Sequence, residues 1–379
     1  FPRSKSGGWK STHFGIGLNR LNDFNNRMEL SGSGVTTSLL DVYTNYANNN
    51  SINYSDIETD PFYEFAYDLN PAWWTFLLDT LGGPSSYVNP ILQEGSNQRM
   101  NVNSWGSMNE FVISFGGNYN DKLYIGGSFG IPYIRYFEES TYTEEFTSPT
   151  NDLYRFDVNR ELETKASGFN FKFGVIAKPV SWFRIGGAIH TPTFYSKIRD
   201  RNVAAFESRF RTPDLDGRTS YRHSNTWTKT YNLTTPFRAL GSVAFIFAPY
   251  GLISFEYNYV DYSQARFRDV PGYVNDDIKN GYRSAHNFRA GTEWRYDIFS
   301  FRLGYTYDGN PYQSGINDAV KNTYSGGIGI NFQNYYLDLA YAYTKYNEDY
   351  YLYSYDNITA MSVNEITGQR FLFTFGARF

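Results

Sequence analysis

The sequence predicts an all-β fold, a transmembrane antiparallel β-barrel of about twelve strands with a partly helical extracellular loop. Three observations predict it: an alternating apolar and polar pattern at the end of the chain, a regular succession of short and long connections, and an unusual composition. Aromatic residues make up 20% of the 379 residues, yet the mean hydropathy is −0.52. Because barrel strands expose only alternate side chains to lipid, a chain that is hydrophilic on average can still cross a membrane.

The final strand shows the alternation most clearly. Phe371, Phe373 and Phe375 fall on one face of a strand with a period of two residues, whereas Gly376 falls on the other face. The chain ends at Phe379, and a terminal aromatic residue on an apolar outward face is typical of the closing strand of a membrane barrel. We therefore assign Phe375, Gly376 and Phe379 as the signal that the barrel assembly machinery recognises.

The connections between alternating segments have two very unequal sizes. Short joins are expected at 119–121, 178–181, 248–251, 296–298 and 333–334, and long polar loops at 32–104, 139–157, 198–222, 268–283, 310–321 and 348–365. The twelve strands predicted between them are 9–31, 105–118, 122–138, 158–177, 182–197, 223–247, 252–267, 284–295, 299–309, 322–332, 335–347 and 366–379. Short turns on the periplasmic side and long loops outside are the outer-membrane pattern. We treat residues 1–379 as a single barrel in which 32–104 is an extracellular insertion.

Face assignment predicts a polar interior. A charge on the lipid face near the bilayer midplane costs ~2–4 kcal/mol, so charged residues within apolar alternation must point inward. The side chains predicted to face the interior are Lys172, Arg184, His190, Glu256, Arg289, Glu293, Arg302 and Asp338. A lumen lined by both signs of charge follows from this assignment.

The insertion at 32–104 breaks the β pattern and predicts helices. Apolar residues in Thr37–Ala47 have helical spacing, Asp60-Pro61 opens a helix over Phe62–Leu69, and Asn70-Pro71 opens one over Ala72–Leu81. The last helix is apolar almost all round, so its surface must be covered. It packs on the barrel mouth, binds an apolar ligand, or contacts a partner or lipid. The candidate ligand groove consists of Trp73, Trp74, Phe76, Leu77, Leu78 and Leu81.

Composition and motifs argue against other functions. The net charge of −4 argues against a nucleic-acid partner, because nucleic-acid binding requires a basic patch. The four histidines have no neighbouring nucleophile, acid or cysteine at the spacing of a catalytic or metal site. The sequence therefore predicts no catalytic residues, no metal, no cofactor and no nucleic-acid partner.

Three stretches of strand carry a resemblance to a known family. They are Trp9–Arg20 (WKSTHFGIGLNR), Phe183–Tyr195 (FRIGGAIHTPTFY) and Leu252–Arg266 (LISFEYNYVDYSQAR). In these stretches the chain resembles the FadL/TodX outer-membrane transporters of long-chain fatty acids and aromatic hydrocarbons, in a style typical of Bacteroidota. The resemblance implies fourteen strands and an N-terminal plug, so we expect the intact protein to have further strands and a plug before Phe1.

The resemblance implies passive uptake of hydrophobic small molecules across the outer membrane of a Gram-negative bacterium. The ligand would be captured at the outer-loop groove and would pass through the polar lumen, where Lys172 or Arg184 could meet a carboxylate. Two alternatives stay open: a structural or accessory barrel of a larger outer-membrane complex, and a general porin. The partners expected are outer-membrane lipid, a hydrophobic ligand, the assembly machinery and, in the first alternative, another protein.

Overall fold

The structure is a computed structural model that describes residues 8–59, 66–91, 95–332 and 334–377. The strands are β1 (Trp9–Asp23), β2 (Asn26–Val35), β3 (Asp79–Thr80), β4 (Tyr87–Val88), β5 (Ser96–Tyr119), β6 (Leu123–Glu145), β7 (Leu153–Val180), β8 (Phe183–His190), β9 (Phe194–Phe210), β10 (Ser220–Thr234), β11 (Arg238–Phe247), β12 (Gly251–Asp261), β13 (Arg266–Arg268), β14 (Ser284–Tyr296), β15 (Phe299–Asp308), β16 (Lys321–Asn331), β17 (Tyr335–Tyr355) and β18 (Ile358–Ala377). The helices are α1 (Leu39–Asn49), α2 (Tyr54–Thr59), α3 (Ala66–Trp74) and α4 (Gly272–Gly281). Among the described residues, no helix is long and apolar enough to cross a membrane.

One large antiparallel sheet contains all strands except the β3–β4 hairpin. Within the described ranges, twelve strands are successive hydrogen-bonded neighbours in the order β1, β5, β6, β7, β8, β11, β12, β14, β15, β16, β17, β18. Of the remaining four, β2 pairs with the far end of β5 and β9 with the far end of β7, while β10 pairs with β9 and with β13. Strand β7 thus pairs with β8 near its end and with β9 before that. The predicted antiparallel fold class and its partly helical insertion are therefore confirmed.

An apolar band on one face of the sheet has the height of a bilayer core. In β6 the band runs from Leu123 to Tyr133 and includes Phe129 and Ile131, which are 41% and 39% exposed. At ~3.3 Å per residue and a tilt of about 40°, these ten steps span ~25 Å. The same face carries exposed Phe171 in β7, Leu303 in β15 and Phe373 in β18. We define this as the outer face, because only lipid can cover so continuous an apolar surface.

Beyond the band the strands continue into an extracellular head. There the outer face becomes polar, as in Asn97, Arg99 and Asn101 of β5, while the inner face becomes apolar, as in Met100 and Val102. Helices α1 and α3 pack on this apolar inner face and form a buried core with it. The core includes Leu40, Tyr43, Leu69, Leu77, Phe156, Phe206 and Tyr353.

The two ends of the strand path meet around these helices. Tyr353 of β17 donates its hydroxyl to the carbonyl of Thr37 at 2.7 Å, and Asn364 Nδ2 of β18 lies 3.5 Å from Sδ of Met28 in β2. The sheet is thus curved around the helical insertion. In the described ranges β1 pairs with β5 and β18 pairs with β17, but β1 does not pair with β18. The expectation of further strands before Phe1 stays a prediction.

Several predicted boundaries were wrong because the head inverts the pattern of the band. The segments 139–157 and 198–222 were predicted to be loops, but β6 extends to Glu145 and β9 extends to Phe210. The insertion between β2 and β5 covers 36–95 rather than 32–104. Polar outer-face residues in these segments hide an alternation whose apolar half faces the helices.

The predicted helix over Ala72–Leu81 was also wrong. Pro71 does not open a helix but lies inside α3, which ends at Trp74. Thr75 donates its side-chain hydroxyl to the carbonyl of Pro71 at 2.6 Å, and the chain then leaves the helix. The helix predicted over Thr37–Ala47 is present as α1, whereas the predicted start of Phe62–Leu69 lies outside the described residues.

Candidate functional site

The start of α1 is fixed to the sheet by a buried carboxylate. Ser38 caps the helix, and its hydroxyl also donates to Glu144 of β6 at 3.0 Å. Glu144 is fully buried and accepts further hydrogen bonds from Ser96 at 2.7 Å and from Tyr142 at 2.8 Å. Burial raises the pKa of the Glu144 carboxyl, and these hydrogen bonds act in the opposite direction. A fully satisfied polar network of this kind fixes one position of the helix on the sheet.

A second anchor holds the region of α3. Both guanidinium NH groups of Arg160 in β7 donate to the carboxylate of Asp68, each at 2.7 Å. The hydroxyl of Tyr43 in α1 donates to the same carboxylate at 3.3 Å. Bidentate pairing sets orientation as well as distance. The two helices are thereby joined to one point of the inner face, and they cap the extracellular end of the sheet.

The end of α3 places an aromatic side chain in a strained conformation. The amide of Leu77 donates to the carbonyl of Ala72 at 2.9 Å, and the amide of Phe76 donates to that of Trp73 at 3.0 Å. This is the Schellman pattern, in which the residue corresponding to Phe76 is normally glycine. Phe76 has φ of 56°, a left-handed conformation that a bulky residue rarely adopts. Such strain costs on the order of 1–3 kcal/mol and is concentrated at functional sites.

Phe76 belongs to a group of two exposed and two half-buried rings that we define as the aromatic patch: Trp74, Phe76, Tyr221 and His223. Trp74 is 47% exposed and Phe76 is 56% exposed. The ring of Phe76 meets the ring of Tyr221 edge-on at 4.7 Å, and Trp74 lies 6.1 Å from the ring of His223. Tyr221 and His223 project from β10 toward the insertion.

The six residues of the predicted groove separate into two sets. Leu77 and Leu78 are buried in the head core, and Trp73 stacks on Tyr54 at 5.4 Å while donating its indole NH to Glu58 at 2.9 Å. These three pack within the insertion. Trp74, Phe76 and Leu81 are exposed, with Leu81 70% exposed. Tyr221 and His223 were not predicted as site residues, because a polar loop was predicted up to residue 222. The alternation of Tyr221, His223, Asn225 and Trp227 is the signal that could have identified them.

A cavity of about 610 Å³ lies against the inner face at the level of the apolar band. Its floor is made largely of residues with little or no side chain, including Gly116, Gly126, Gly174 and Ala188. These four are successive cross-strand neighbours on β5, β6, β7 and β8. The space therefore arises because a row of adjacent residues on neighbouring strands consists of glycine and alanine.

The polar residues predicted to face the interior lie on the inner face, and most are paired with each other. Lys172 Nζ lies 2.5 Å from Glu110, Arg289 lies 2.6 Å from Glu256, and Arg302 contacts both Glu293 at 2.7 Å and Asp338. His190 lines the cavity beside Lys172. Within the described chain Arg184 is exposed and makes no ion pair, so it differs from Lys172, whose charge Glu110 neutralises. Of the two cations considered for a ligand carboxylate, Arg184 is the more exposed and is the one that no ion pair neutralises in the described chain.

Packing at the end of the last described strand gives a reason for glycine at position 376, one of the residues of the predicted assembly signal. The ring of Tyr336 lies directly over Gly376, its cross-strand neighbour, and Phe375 is 61% exposed on the outer face. A Cβ at position 376 would overlap the Tyr336 ring. Phe379 lies outside the described residues.

We expect Gly376→Ala to destabilise the pairing of β17 with β18, because the methyl group and the Tyr336 ring cannot occupy the same space. The loss should be about 1–3 kcal/mol, the usual cost of overpacking. Heat-modifiable electrophoretic mobility at increasing temperature measures it. Adding Tyr336→Ala to the same chain should restore tolerance to the larger side chain, and a Gly376→Ala variant as stable as the parent would contradict the explanation.

Among the described residues, no group of three His, Asp or Glu side chains could hold a metal ion. The histidines are dispersed: the ring of His13 contacts Ser11 at 3.0 Å, and that of His286 contacts the Tyr257 hydroxyl at 2.6 Å. Neither arrangement joins a nucleophile, a base and an orienting acid.

Comparison with known proteins gave structural similarities only. No protein-family model matches the chain, and no curated protein matches it. The fold is similar to the P. putida toluene transporter TodX, with 11% identity, a TM-score of 0.48 and coverage of 99% of this chain and 91% of that chain. It is also similar to a Pseudomonas aeruginosa FadL homologue, with 14% identity, a TM-score of 0.47 and coverage of 77% of each chain. For the Ralstonia pickettii toluene transporter TbuX the identity is 12%, the TM-score 0.44 and the coverage 75% of this chain and 78% of that chain.

Proposed function

We propose that this chain forms an outer-membrane channel for passive uptake of hydrophobic small molecules, which are captured at the aromatic patch and pass along the inner face. The observation that carries the proposal is the exposure of Trp74 and Phe76 at the capped end of a membrane sheet, with Phe76 in a strained conformation. A fold that needed only a helix end at position 76 would be more stable with glycine there. We attribute the presence of a phenyl ring in this strained conformation to its binding of the hydrophobic ligand.

The band and the cavity support the other steps. The outer face has the ~25 Å apolar height of a bilayer core, so the inner face lines the lumen. We infer that the head closes the lumen to water. The cavity of about 610 Å³ on the inner face has room for a small apolar molecule. Arg184 would attract a ligand that carries a carboxylate, whereas the charges of Lys172, Arg289 and Arg302 are already offset by their ion-pair partners.

Replacing the rings of the aromatic patch should reduce uptake. Burial of a large apolar side chain against a ligand contributes ~1.5–3 kcal/mol, so Trp74→Ala and Phe76→Ala should each weaken uptake about tenfold or more. Uptake of a radiolabelled monoaromatic hydrocarbon and of a long-chain fatty acid into cells measures this. Tyr273→Ala, which removes a ring that is 57% exposed in α4, is the matched control. Unchanged uptake in both patch variants would refute the capture site.

The variant Phe76→Gly separates the proposed ligand binding by the Phe76 ring from the strain in the backbone at this position. Uptake should fall as in Phe76→Ala, but the head should be more stable than in Phe76→Ala by about 1 kcal/mol, because glycine accepts the left-handed conformation without strain. Thermal unfolding of the purified variants provides the comparison.

An accessory subunit of a larger outer-membrane complex is the alternative, since the same exposed rings could dock a protein. Stoichiometric co-purification of a partner from native membranes, lost in Trp74→Ala while uptake is unaffected, would favour it.

A further inference from the structure

Three basic residues occupy directly opposed positions on neighbouring strands of the outer face. Arg135 of β6 is opposite Lys165 of β7, and Lys165 is opposite Arg199 of β9. All three are exposed. Directly opposed side chains have Cβ atoms about 4.5–5.5 Å apart, so like charges in such positions repel one another. We define these three residues as the basic row.

The basic row lies at the extracellular edge of the apolar band. On the outer face, Tyr133, the last member of the band in β6, lies immediately below Arg135. In β7 and β9 the opposed pair Ser167 and Ser196 comes first below the row, and the opposed pair Phe169 and Phe194 follows. Tyr133, Phe169 and Phe194 are exposed, by 41%, 52% and 39%. The row is therefore at the height where acyl chains end and lipid head groups begin.

Nearby groups offset only part of this charge. One step further from the membrane, Glu163 lies 2.5 Å from Lys165, but it is itself opposite another cation, Arg201. The four cations and one carboxylate of these two steps leave a net charge of +3. The hydrogen bond from Lys165, with the charges of Arg135 and Arg201, holds the pKa of Glu163 below its usual range, as a positive local potential requires. Glu139 and Glu161 oppose each other one further step away from the membrane.

The side chains at the two ends of the row can add hydrogen bonds to an anion. Ser107 of β5 is opposite Arg135, and Thr230 of β10 is opposite Arg199. Hydroxyl groups and guanidinium groups together form the usual surroundings of a protein-bound phosphate. The aromatic ring of Phe137 lies 5.2 Å from the guanidinium carbon of Arg135 and limits the directions that this cation can take.

We propose that the basic row binds the phosphate groups of a phosphorylated glycolipid of the outer leaflet. Its height at the edge of the band selects a group attached to the membrane, and its net charge selects an anion. A bound anion would relieve the repulsion that remains in the row after Glu163 has paired with Lys165. The inference depends on the membrane orientation of the sheet but not on transport. It concerns the outer surface, whereas the proposed ligand path follows the inner face.

The test is lipid binding by the full chain purified in detergent, with bisphosphorylated lipid A as the probe. Native mass spectrometry counts the lipid adducts of the parent and of the triple variant Arg135→Gln, Lys165→Gln, Arg199→Gln. Each cation near a charged membrane surface contributes about fivefold in affinity, so the triple variant should bind about a hundredfold more weakly. Without lipid, the triple variant should be at least as stable to heat as the parent, because the repulsion has been removed.

A matched variant removes the same charge elsewhere on the outer face of the head. Arg27, Arg99 and Arg222 are exposed and lie further from the band, so their replacement by Gln should leave lipid binding unchanged. Equal binding by the parent and the triple variant would overturn the proposal, as would equal binding of dephosphorylated lipid A. Displacement of the lipid by inorganic phosphate at the same concentration would show a general phosphate site and would also overturn the assignment to a lipid.

Discussion

Replacement of Phe206 by Ala is expected to detach the helical cap from the sheet and make the channel permeable to small hydrophilic solutes. Phe206 is fully buried, and its ring lies 6.1 Å from that of Tyr43 in α1. Phe→Ala substitutions in a core cost ~3–5 kcal/mol. Because this part of the core joins the helices to the sheet, the head should lose stability, while the strands of the apolar band keep their pairing.

Two measurements separate these effects. Calorimetry should show a lower-temperature transition for the head and an unchanged one for the membrane part, and conductance in planar bilayers should rise. Val203→Ala, on the other face of the same strand, is the control and should alter neither. A variant with a destabilised head but parental conductance would mean that the cap is not the barrier to water and ions.

The apolar band could be predicted from the sequence because lipid imposes one simple rule on it. Alternation such as Phe371, Phe373 and Phe375 reports directly which face meets the membrane. The head obeys a different rule, since water covers its outer face and α1 and α3 cover its inner face. Met100 and Val102 alternate with polar residues just as the band does, but in the opposite phase, and this inversion made the strands above the band look like polar loops.

The candidate site was only partly predictable for a similar reason. Trp74, Phe76 and Leu81 were identified as apolar surface, but the sequence does not show that α3 ends at Trp74 or that φ of Phe76 is positive. This part of the chain is held by hydrogen bonds from distant strands, since Asp68 accepts from Arg160 and Asn70 accepts from Asn225. Tyr221 and His223 join the patch through strand pairing across the head, which local periodicity cannot reveal.

Lys172→Met is expected to destabilise the membrane part of the fold by about 3–5 kcal/mol, the usual cost of leaving one member of a buried ion pair without its partner. The side chain of Glu110 is only 1% exposed, and its carboxylate is held by Lys172 at 2.5 Å and by Asn170 at 2.8 Å. Gly130, on the strand between them, leaves the space that the pair occupies, since a Cβ there would lie 2.5 Å from the Glu110 carboxylate. Three strands are thus joined across one glycine.

The double variant Glu110→Gln, Lys172→Met should recover most of this loss, because no buried charge remains and the Asn170 amide can still donate to the Gln oxygen. A double-mutant cycle on thermal unfolding gives the coupling between the two positions, and additive effects would contradict the pairing.

The same variants test the predicted role of Lys172 in ligand binding. Uptake of a long-chain fatty acid should be unaffected in the double variant but reduced in Arg184→Gln, because Lys172 is neutralised by Glu110 whereas the guanidinium of Arg184 is exposed on the inner face.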